Sequence, residues 1–548
     1  MQGLMQHRPL LLASLLEHAR LYNPNVEIVS RTMSGAIERY GYEALDRRAR
    51  KLAKALIGLG VKPGDRVATI AFNTYRHLEL NYAVGGIGAV CHTINPRLFH
   101  EQIRYIIDHA EDVLLFVDPP LVPLAKKVTG GQATIRKIVV LGGEAEATAS
   151  EIPGAIAYET LIGAEDDAHD WQVFDELTAC GLCYTSGTTG NPKGVLYSHR
   201  TTVLHAMAAR ARDCFDIHNR STAMALVPMF HANVSWGIPY AATMAGAKLV
   251  LPGAKLDGPS LKELIIGEGV TTSNGVPTIW QVVIDELRRS GEKVPQLERI
   301  VIAGSAPAPS MIETLENEFG VDVGHMWGMT ETSPCGTSAT MHHGAEQLSA
   351  DERLKLKVKQ GRPVWGVEAK IVDPDGKEMS RRADAYGDLR VRGLWVLGSY
   401  FKGEGSGSFD KDGWFSTGDI ASLDENGYLH LADRAKDLIK SGGEWISSIE
   451  VENVAVGHPA VQEAAVIGLP HPKWDERPVL IVIPKPNTTI EKHELLRYFD
   501  GKIAKWWIPD DVIFVTEIPH SGTGKIQKAE LRKQFKDYQL VRTEAAAS

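Results

Sequence analysis

Cysteine is scarce: the 548-residue chain has five, Cys91, Cys180, Cys183, Cys214 and Cys335. They are too few and too scattered for a disulfide framework, which fits a reducing, cytoplasmic setting. Cys180 and Cys183 form one C-x-x-C, but no second pair follows to complete four zinc ligands. Both sit in the apolar run from Leu177 to Tyr184, which reads as a buried strand. A membrane-length apolar segment is missing as well. Pro9-Leu-Leu-Leu-Ala-Ser-Leu-Leu is too short to span a bilayer, lacks a small-residue cleavage signature and leads into a charged amphipathic pattern, so it reads as a first surface helix. Nor is there an excess of positive charge. Fifty-nine Lys and Arg stand against 68 Asp and Glu, a net charge of −9 with no long basic run, which argues against nucleic acid as a partner. Glycine (52) and proline (28) stay near ordinary globular usage, excluding collagenous and bulk-disordered classes.

What is present is an alternation of apolar β-rich runs with helical patterns, the mark of α/β architecture. The run Arg66-Val-Ala-Thr-Ile-Ala precedes a helical pattern from Arg76 to Val84, and Arg299-Ile-Val-Ile-Ala-Gly precedes one from Pro309 to Phe319. In open α/β sheets ligands bind beyond the carboxyl ends of the strands, so the loops closing these runs are where chemistry is expected. From about Gly361 the texture changes to short strands and tight turns: Asp373-Pro-Asp-Gly, Asp410-Lys-Asp-Gly-Trp-Phe and Asp424-Glu-Asn-Gly-Tyr. These predict a twisted antiparallel sheet or distorted, partial β-barrel. A compact α/β stretch of about 110 residues follows Asp433. The expected organisation is a large N-terminal domain of α/β layers plus the distorted barrel, residues 1–434, and a small α/β cap, residues 435–548.

The segment Tyr184-Thr-Ser-Gly-Thr-Thr-Gly-Asn-Pro-Lys-Gly follows an apolar strand and packs hydroxyls, glycines and one lysine into eleven positions. Its glycines (Gly187, Gly190) let backbone N–H groups approach phosphate oxygens. The hydroxyls of Thr185, Ser186, Thr188 and Thr189 add donors, and Lys193 adds charge, so the segment reads as a phosphate cradle. It is not a Walker A loop, because Pro192 and Val195 stand where its second glycine belongs. A dinucleotide fingerprint is also missing, since Gly86-Ile-Gly88 runs on into Ala89, Val90 and Cys91.

This segment resembles the signature of the adenylate-forming superfamily, which includes acyl-CoA synthetases, firefly-type luciferases and the adenylation domains of peptide synthetases. Further matching segments follow in the family's order: Trp327-Gly-Met-Thr-Glu-Thr, Trp414-Phe-Ser-Thr-Gly-Asp, Asp433-Arg-Ala-Lys-Asp-Leu-Ile-Lys-Ser-Gly-Gly-Glu and Gly522-Thr-Gly-Lys525. Within the superfamily the chain most resembles medium- and long-chain fatty acyl-CoA synthetases and 3-methylmercaptopropionyl-CoA ligases. The resemblance implies an AMP-forming acyl-CoA ligase that uses ATP, Mg²⁺ and CoA on a carboxylic acid, expected to be medium-chain fatty or aryl-alkyl. It leaves a homodimer open.

Carboxylate attack on the α-phosphate of ATP brings two anions together, so the site must supply cations and a metal. By resemblance, Glu331 and Thr185 are the magnesium ligands, and Asp419 with Arg434 receives the ribose. Gly304, Ser305, Ala306 and Pro307, with His325, Met326 and Trp327, wall the adenine; Gly328, Thr330 and Lys440 complete the nucleotide set. Taken alone, Trp327 reads equally as core. Lys525, in a glycine-flanked loop, is the match for the lysine needed for adenylation, and Lys436 for the hinge about which the cap rotates. The loop holding Ser441, Gly442, Gly443 and Trp445 then lines the pantetheine channel.

Pro228-Met-Phe-His231-Ala-Asn-Val-Ser-Trp236 is apolar around one histidine, which suits an uncharged acid tail. His231 is the candidate for orienting the carboxylate, against the reading of a satisfied core histidine. Asn233, Trp236, Val276 and Gly304 are expected to line the pocket. Trp236 matches a tryptophan that gates the tunnel of long-chain relatives, but Val234 and Ser235 lengthen the His-x-Asn-x-Trp spacing by one residue. No Asp is placed to pair with an amino-acid ammonium, and only 23 residues follow Lys525, too few for a carrier domain. Two other readings are an acyl-AMP ligase or amide synthetase with a non-CoA acceptor, and a catalytically silent nucleotide-binding homologue.

Overall fold

The computed structural model describes residues 1, 3–131, 134–185, 191–232, 237–442, 444–486, 488–520, 525–538 and 540. Two seven-stranded sheets dominate the large N-terminal domain. The first runs, in spatial order, Ile156–Ala157, Lys137–Val140, Asp112–Val117, Arg66–Ile70, Val90–Thr93, Ala179–Tyr184 and Gly194–Ser198. Its neighbours are parallel except for the last two strands, which pair antiparallel. Val67, Ala68 and Ile70, and Leu114 to Val117, are fully buried, as a parallel sheet covered on both faces requires. The second sheet runs Asp322–His325, Arg299–Ile302, Thr272–Gly275, Thr222–Met224, Lys248–Leu251, Glu27–Arg31 and Ile37–Gly41. It too is parallel except at one edge, where Glu27–Arg31 pairs antiparallel with Ile37–Gly41.

The expected helices form at Tyr75–Gly86 and at Pro309–Glu313, the latter continuing as a wider π-type turn over Thr314–Glu318. The N-terminal helix, Leu12–Tyr22, buries Leu12, Leu15, Leu16 and Ala19 and exposes its other face. Among the described residues no helix is long and apolar enough to cross a membrane. The apolar strand begins at Ala179, later than expected, and Leu177 is 68% exposed. All five cysteines are buried free thiols. Cys180 and Cys183 both pack into the main core, on a strand whose register shifts between Ala179 and Gly181. Cys180 meets Thr202 Oγ1 at 3.6 Å and Cys183 meets the Phe230 carbonyl at 3.9 Å, which disposes of a shared zinc or disulfide.

The third sheet is antiparallel in the order Val367–Val372, Gly387–Gly393, Phe415–Leu423 and Leu429–Arg434. Among the described residues it is an open four-stranded sheet rather than a closed barrel. Only the Asp424 turn is a hairpin between its strands. The Asp373 and Asp410 turns close the small side bridges Val372–Glu378 and Phe409–Phe415. The small C-terminal domain is built on Glu444–Ile446, Ile439–Ser441, Asp475–Pro484 and Val461–His471, with Asp511–Phe514 added parallel to Asp475–Pro484. Helices Ser448–Val456 and Lys528–Gln534 pack against its long hairpin.

Candidate active site

The antiparallel edge of the first sheet explains where the phosphate segment sits. Strands Ala179–Tyr184 and Gly194–Ser198 must be joined at the end where the parallel strands terminate, and Thr185 to Lys193 makes that connection. Its base is tied twice: Thr185 N–H donates to the Lys193 carbonyl at 2.9 Å, and Lys193 N–H donates to Thr185 Oγ1 at 3.3 Å. Ser186, Gly187, Thr188, Thr189 and Gly190 lie outside the described residues. Lys193 lays its ammonium 5.1 Å from the centre of the Tyr400 ring, a cation–π contact.

Tyr400 in turn donates its hydroxyl to Glu331 Oε1 at 2.7 Å. Glu331 is 6% exposed. Burial raises its carboxyl above the ordinary range, while Tyr400 and Arg434 pull it back. Glu331 lies in the short helical turn Thr330–Thr332, held from the side by the Tyr197 hydroxyl donating to the Thr330 carbonyl at 2.8 Å. Gly328 allows the loop to close, because a Cβ there would run into the Pro334 carbonyl oxygen.

Trp327 is a core residue with a polar side-chain contact. The ring is 7% exposed and packs in the main core, yet its indole N–H donates to Asp419 Oδ2 at 2.9 Å. Arg434 Nε stands 3.3 Å from the other oxygen, Asp419 Oδ1. Asp419 and Arg434 are directly paired across neighbouring strands of the third sheet, so the ion pair is set by strand register. His325 and Met326 are buried at the end of their strand, and His325 Nδ1 lies 3.1 Å from the Val358 carbonyl. Desolvation depresses the His325 pKa to about 4, so its ring is neutral. In the loop after Arg299–Ile302, Gly304 has φ +88°, a conformation that favours glycine; Ser305 is exposed, Ala306 half-buried and Pro307 buried.

Lys525 is half-buried and lies within electrostatic reach of Arg434, Asp419 and Glu331. Burial first, then Arg434, pushes its pKa down to about 8, against the opposing pull of the two carboxylates. The segment carrying it is pinned by the His520–Ile526 bridge and by Gln527 N–H donating to the Pro519 carbonyl at 2.8 Å. His231 is likewise half-buried. Desolvation, with the positive charges of Arg97 and Lys525, lowers its pKa to about 3, so it is a neutral imidazole at working pH. Its ring stands 4.7 Å from that of Phe230. Asn233 and Trp236 lie outside the described residues, and Val276 is half-buried after strand Thr272–Gly275.

The described site thus brings together Thr185, Lys193, Glu331, Trp327, Asp419, Arg434, Lys525 and His231. Lys440 is exposed on its hairpin, with its ammonium 5.2 Å from the Trp445 ring. Trp445 is 49% exposed; Ser441 is buried beneath it and accepts from Arg477 Nη1 at 3.1 Å. Gly442 is packed so closely on Trp474 that a Cβ would come within 2.8 Å of the ring; Gly443 lies outside the described residues. Lys436 is exposed on the surface, and partial desolvation of its ammonium lowers its pKa.

Two residues that sequence reasoning missed support the site. One is Tyr400. The other is Asn73, in the loop after Arg66–Ile70, whose amide donates to the carbonyls of Ala225 (2.7 Å) and Val227 (2.9 Å) and accepts from Met229 N–H (2.6 Å). It fastens the first sheet to the segment that leads to His231. Neither belongs to a local pattern that would have flagged it.

A lysine of the small C-terminal domain thus lies among acidic and cationic groups of the large N-terminal one. The chain belongs to the AMP-binding enzyme family, which matches residues 16–401, and the family's C-terminal domain matches residues 450–525. It is 49% identical to the 3-methylmercaptopropionyl-CoA ligase of Ruegeria lacuscaerulensis over 98% of this chain and 99% of that protein. It is also 49% identical to the medium-chain-fatty-acid–CoA ligase of Ectopseudomonas oleovorans over 98% of each. Among solved structures, an anthranilate CoA ligase in complex with anthranoyl-AMP aligns with a TM-score of 0.85 at 25% identity, covering 98% of this chain and 99% of that one.

Proposed function

We propose that the protein is an ATP-dependent, AMP-forming acyl-CoA ligase acting on a medium-chain fatty or aryl-alkyl acid. Relatives 44–49% identical over nearly the whole chain, all named acyl-CoA ligases, support the reaction class. The observation that carries the mechanism is the convergence of Lys525 on Asp419, Arg434 and Glu331, next to the strand that opens into the phosphate segment.

In the first step an oxygen of the substrate carboxylate attacks the α-phosphorus of ATP, and the bond to the bridging oxygen breaks to release pyrophosphate. The Lys525 ammonium sits between the two reacting anions and takes up charge as the bond forms. Asp419 accepts from the ribose hydroxyls, held in place by Trp327 and Arg434. Lys193 and the phosphate segment hold the triphosphate. A buried carboxylate beside a hydroxyl-rich strand end is a hard oxygen set of the kind magnesium takes. Glu331 and Thr185 would hold the ion, which neutralises phosphate charge. His231, neutral at working pH, orients the carboxylate by hydrogen bonding without fixing it as an ion pair.

In the second step the thiolate of CoA attacks the acyl carbonyl carbon, and the carbon–oxygen bond to AMP breaks. The domain boundary at residues 434 and 435 serves this step: rotation about Lys436 withdraws Lys525 and brings Ser441 to Trp445 to the site as the pantetheine channel.

An acid panel with ATP, Mg²⁺ and CoA, scored by mass spectrometry, tests the reading. The expected products are AMP and an acyl-CoA thioester. AMP with amides when amines replace CoA would favour an amide synthetase, and no AMP from any acid would favour a silent homologue.

A further inference from the structure

Away from the groups assigned to nucleotide or acid, a buried polar network lies beside the hinge. Lys528 opens helix Lys528–Gln534, three residues beyond Lys525, and is 8% exposed. Its ammonium stands 2.9 Å from Glu452 Oε1 and donates to Ser448 Oγ. Ser448 passes the chain on to Asp433, donating to Asp433 Oδ2 through its backbone N–H at 3.1 Å and through its hydroxyl. Asp433 Oδ1 accepts from Arg434 N–H at 2.8 Å, and Glu452 Oε1 accepts from Val466 N–H at 2.7 Å. A buried ammonium, a buried carboxylate and a half-buried one persist only where they satisfy one another in this way.

Asp433 and Ser448 lie on opposite sides of Lys436. Asp433 belongs to Leu429–Arg434, the last strand of the third sheet; Ser448 is the first residue of helix Ser448–Val456 in the C-terminal domain. Two further contacts cross at the same place. Ser447 Oγ donates to the Ala432 carbonyl, and His430 Nε2 stands 3.8 Å from Glu450 Oε1. The first turn of one C-terminal helix is therefore fastened to the last strand of the N-terminal domain, and Lys528 fastens that turn to the segment carrying Lys525.

We propose that Asp433, Ser448 and Lys528 are positioning residues for adenylation. They form a latch that holds the C-terminal domain in the orientation that puts Lys525 beside Asp419, Arg434 and Glu331, and it opens before the thioester step. The proposal rests on the reading of Lys525 and the Lys436 hinge given above. The partition of charge makes such a latch reversible. Lys528 and Glu452 are both carried by the C-terminal domain and stay paired through a rotation, while Asp433 stays behind at the domain edge, where water can replace Ser448. Opening breaks a few hydrogen bonds and strands no buried charge.

The test compares Asp433→Asn and Ser448→Ala in the full chain, by acid-dependent ATP–pyrophosphate exchange and by CoA thiolysis of supplied acyl-adenylate. Each variant is expected to slow exchange about tenfold, the scale of losing one hydrogen bond to a charged group. Thiolysis should hold or accelerate, and the double variant should be no worse than the poorer single one. Equal loss of both half-reactions, or loss of neither, would overturn the latch. A second arm needs no acid. Backbone hydrogen exchange of residues 446–452 and 526–532 should quicken in both variants relative to the parent chain. Unchanged protection there overturns the latch even if the parent enzyme activates none of the acids offered, an outcome that would separately remove the functional reading.

Discussion

Tyr400 reaches across 69 residues of sequence to donate its hydroxyl to Glu331 Oε1 at 2.7 Å, and the same ring carries Lys193 on its face. One tyrosine therefore links the proposed metal-binding carboxylate to the lysine of the phosphate segment. Tyr400→Phe keeps the ring and removes the hydrogen bond. A hydrogen bond to a carboxylate is worth about 1.5–3 kcal/mol, or about one to two pKa units. Glu331 is already raised by burial and binds metal only as the anion, so activity is present above its pKa and lost as pH falls through it. In the variant this acid limb should move upward, with weaker apparent Mg²⁺ affinity on its acid side. A limb that stays put in a pH–rate series would refute the link.

In the proposed mechanism Lys525 works as an ammonium, and its pKa is pushed down to about 8. Adenylation should therefore be complete below that pH and decline above it. Pyrophosphate exchange measured from pH 6 to 10 checks this. Lys525→Arg, charged to beyond about pH 12, should lose the alkaline decline at a lower plateau, and Lys525→Ala should lose about 10²–10³ in exchange rate while thiolysis of acyl-adenylate survives.

Lys436→Pro fixes φ at the proposed hinge. Adenylate formation should persist, with thioester formation reduced by at least tenfold as the order of magnitude expected for a blocked domain rotation. Quench-flow measurement of both half-reactions separates the two, and equal loss would argue against a hinge at this residue.

Asn73→Ala leaves the carbonyls of Ala225 and Val227 and the N–H of Met229 without their side-chain partner. Buried unsatisfied groups of this kind cost about 1–3 kcal/mol each, so the urea midpoint should fall and, because the loosened segment leads to His231, the KM for acid should rise more than that for ATP. Asn73→Asp should be worse, since it sets a carboxylate against two carbonyl oxygens.

Much of the site could be read from the chain because its parts are contiguous. Thr185 and Lys193 belong to one strand connection, Trp327 and Glu331 to one turn, and Asp419 ends a Thr-Gly-Asp run. Tyr400 and Asn73 could not be read this way, since each acts on a segment distant in sequence and has no local period. Sheet order was equally hidden, as Ile28 pairs with Leu249 by a contact only the folded core specifies. The Asp-Gly turns pointed correctly to an antiparallel region but not to which turns were hairpins, because two of the three close side bridges outside the strand order.

The buried thiols bear on the safety of the chemistry. An acyl-adenylate is an acylating reagent, and Cys183 touches the Phe230 carbonyl next to His231. Burial pushes that thiol up to about 12, which leaves about one thiolate in a hundred thousand at pH 7. In the proposed reaction the CoA thiolate would therefore meet no rival thiolate from Cys183, and the mixed anhydride would be spared acylation at that sulfur.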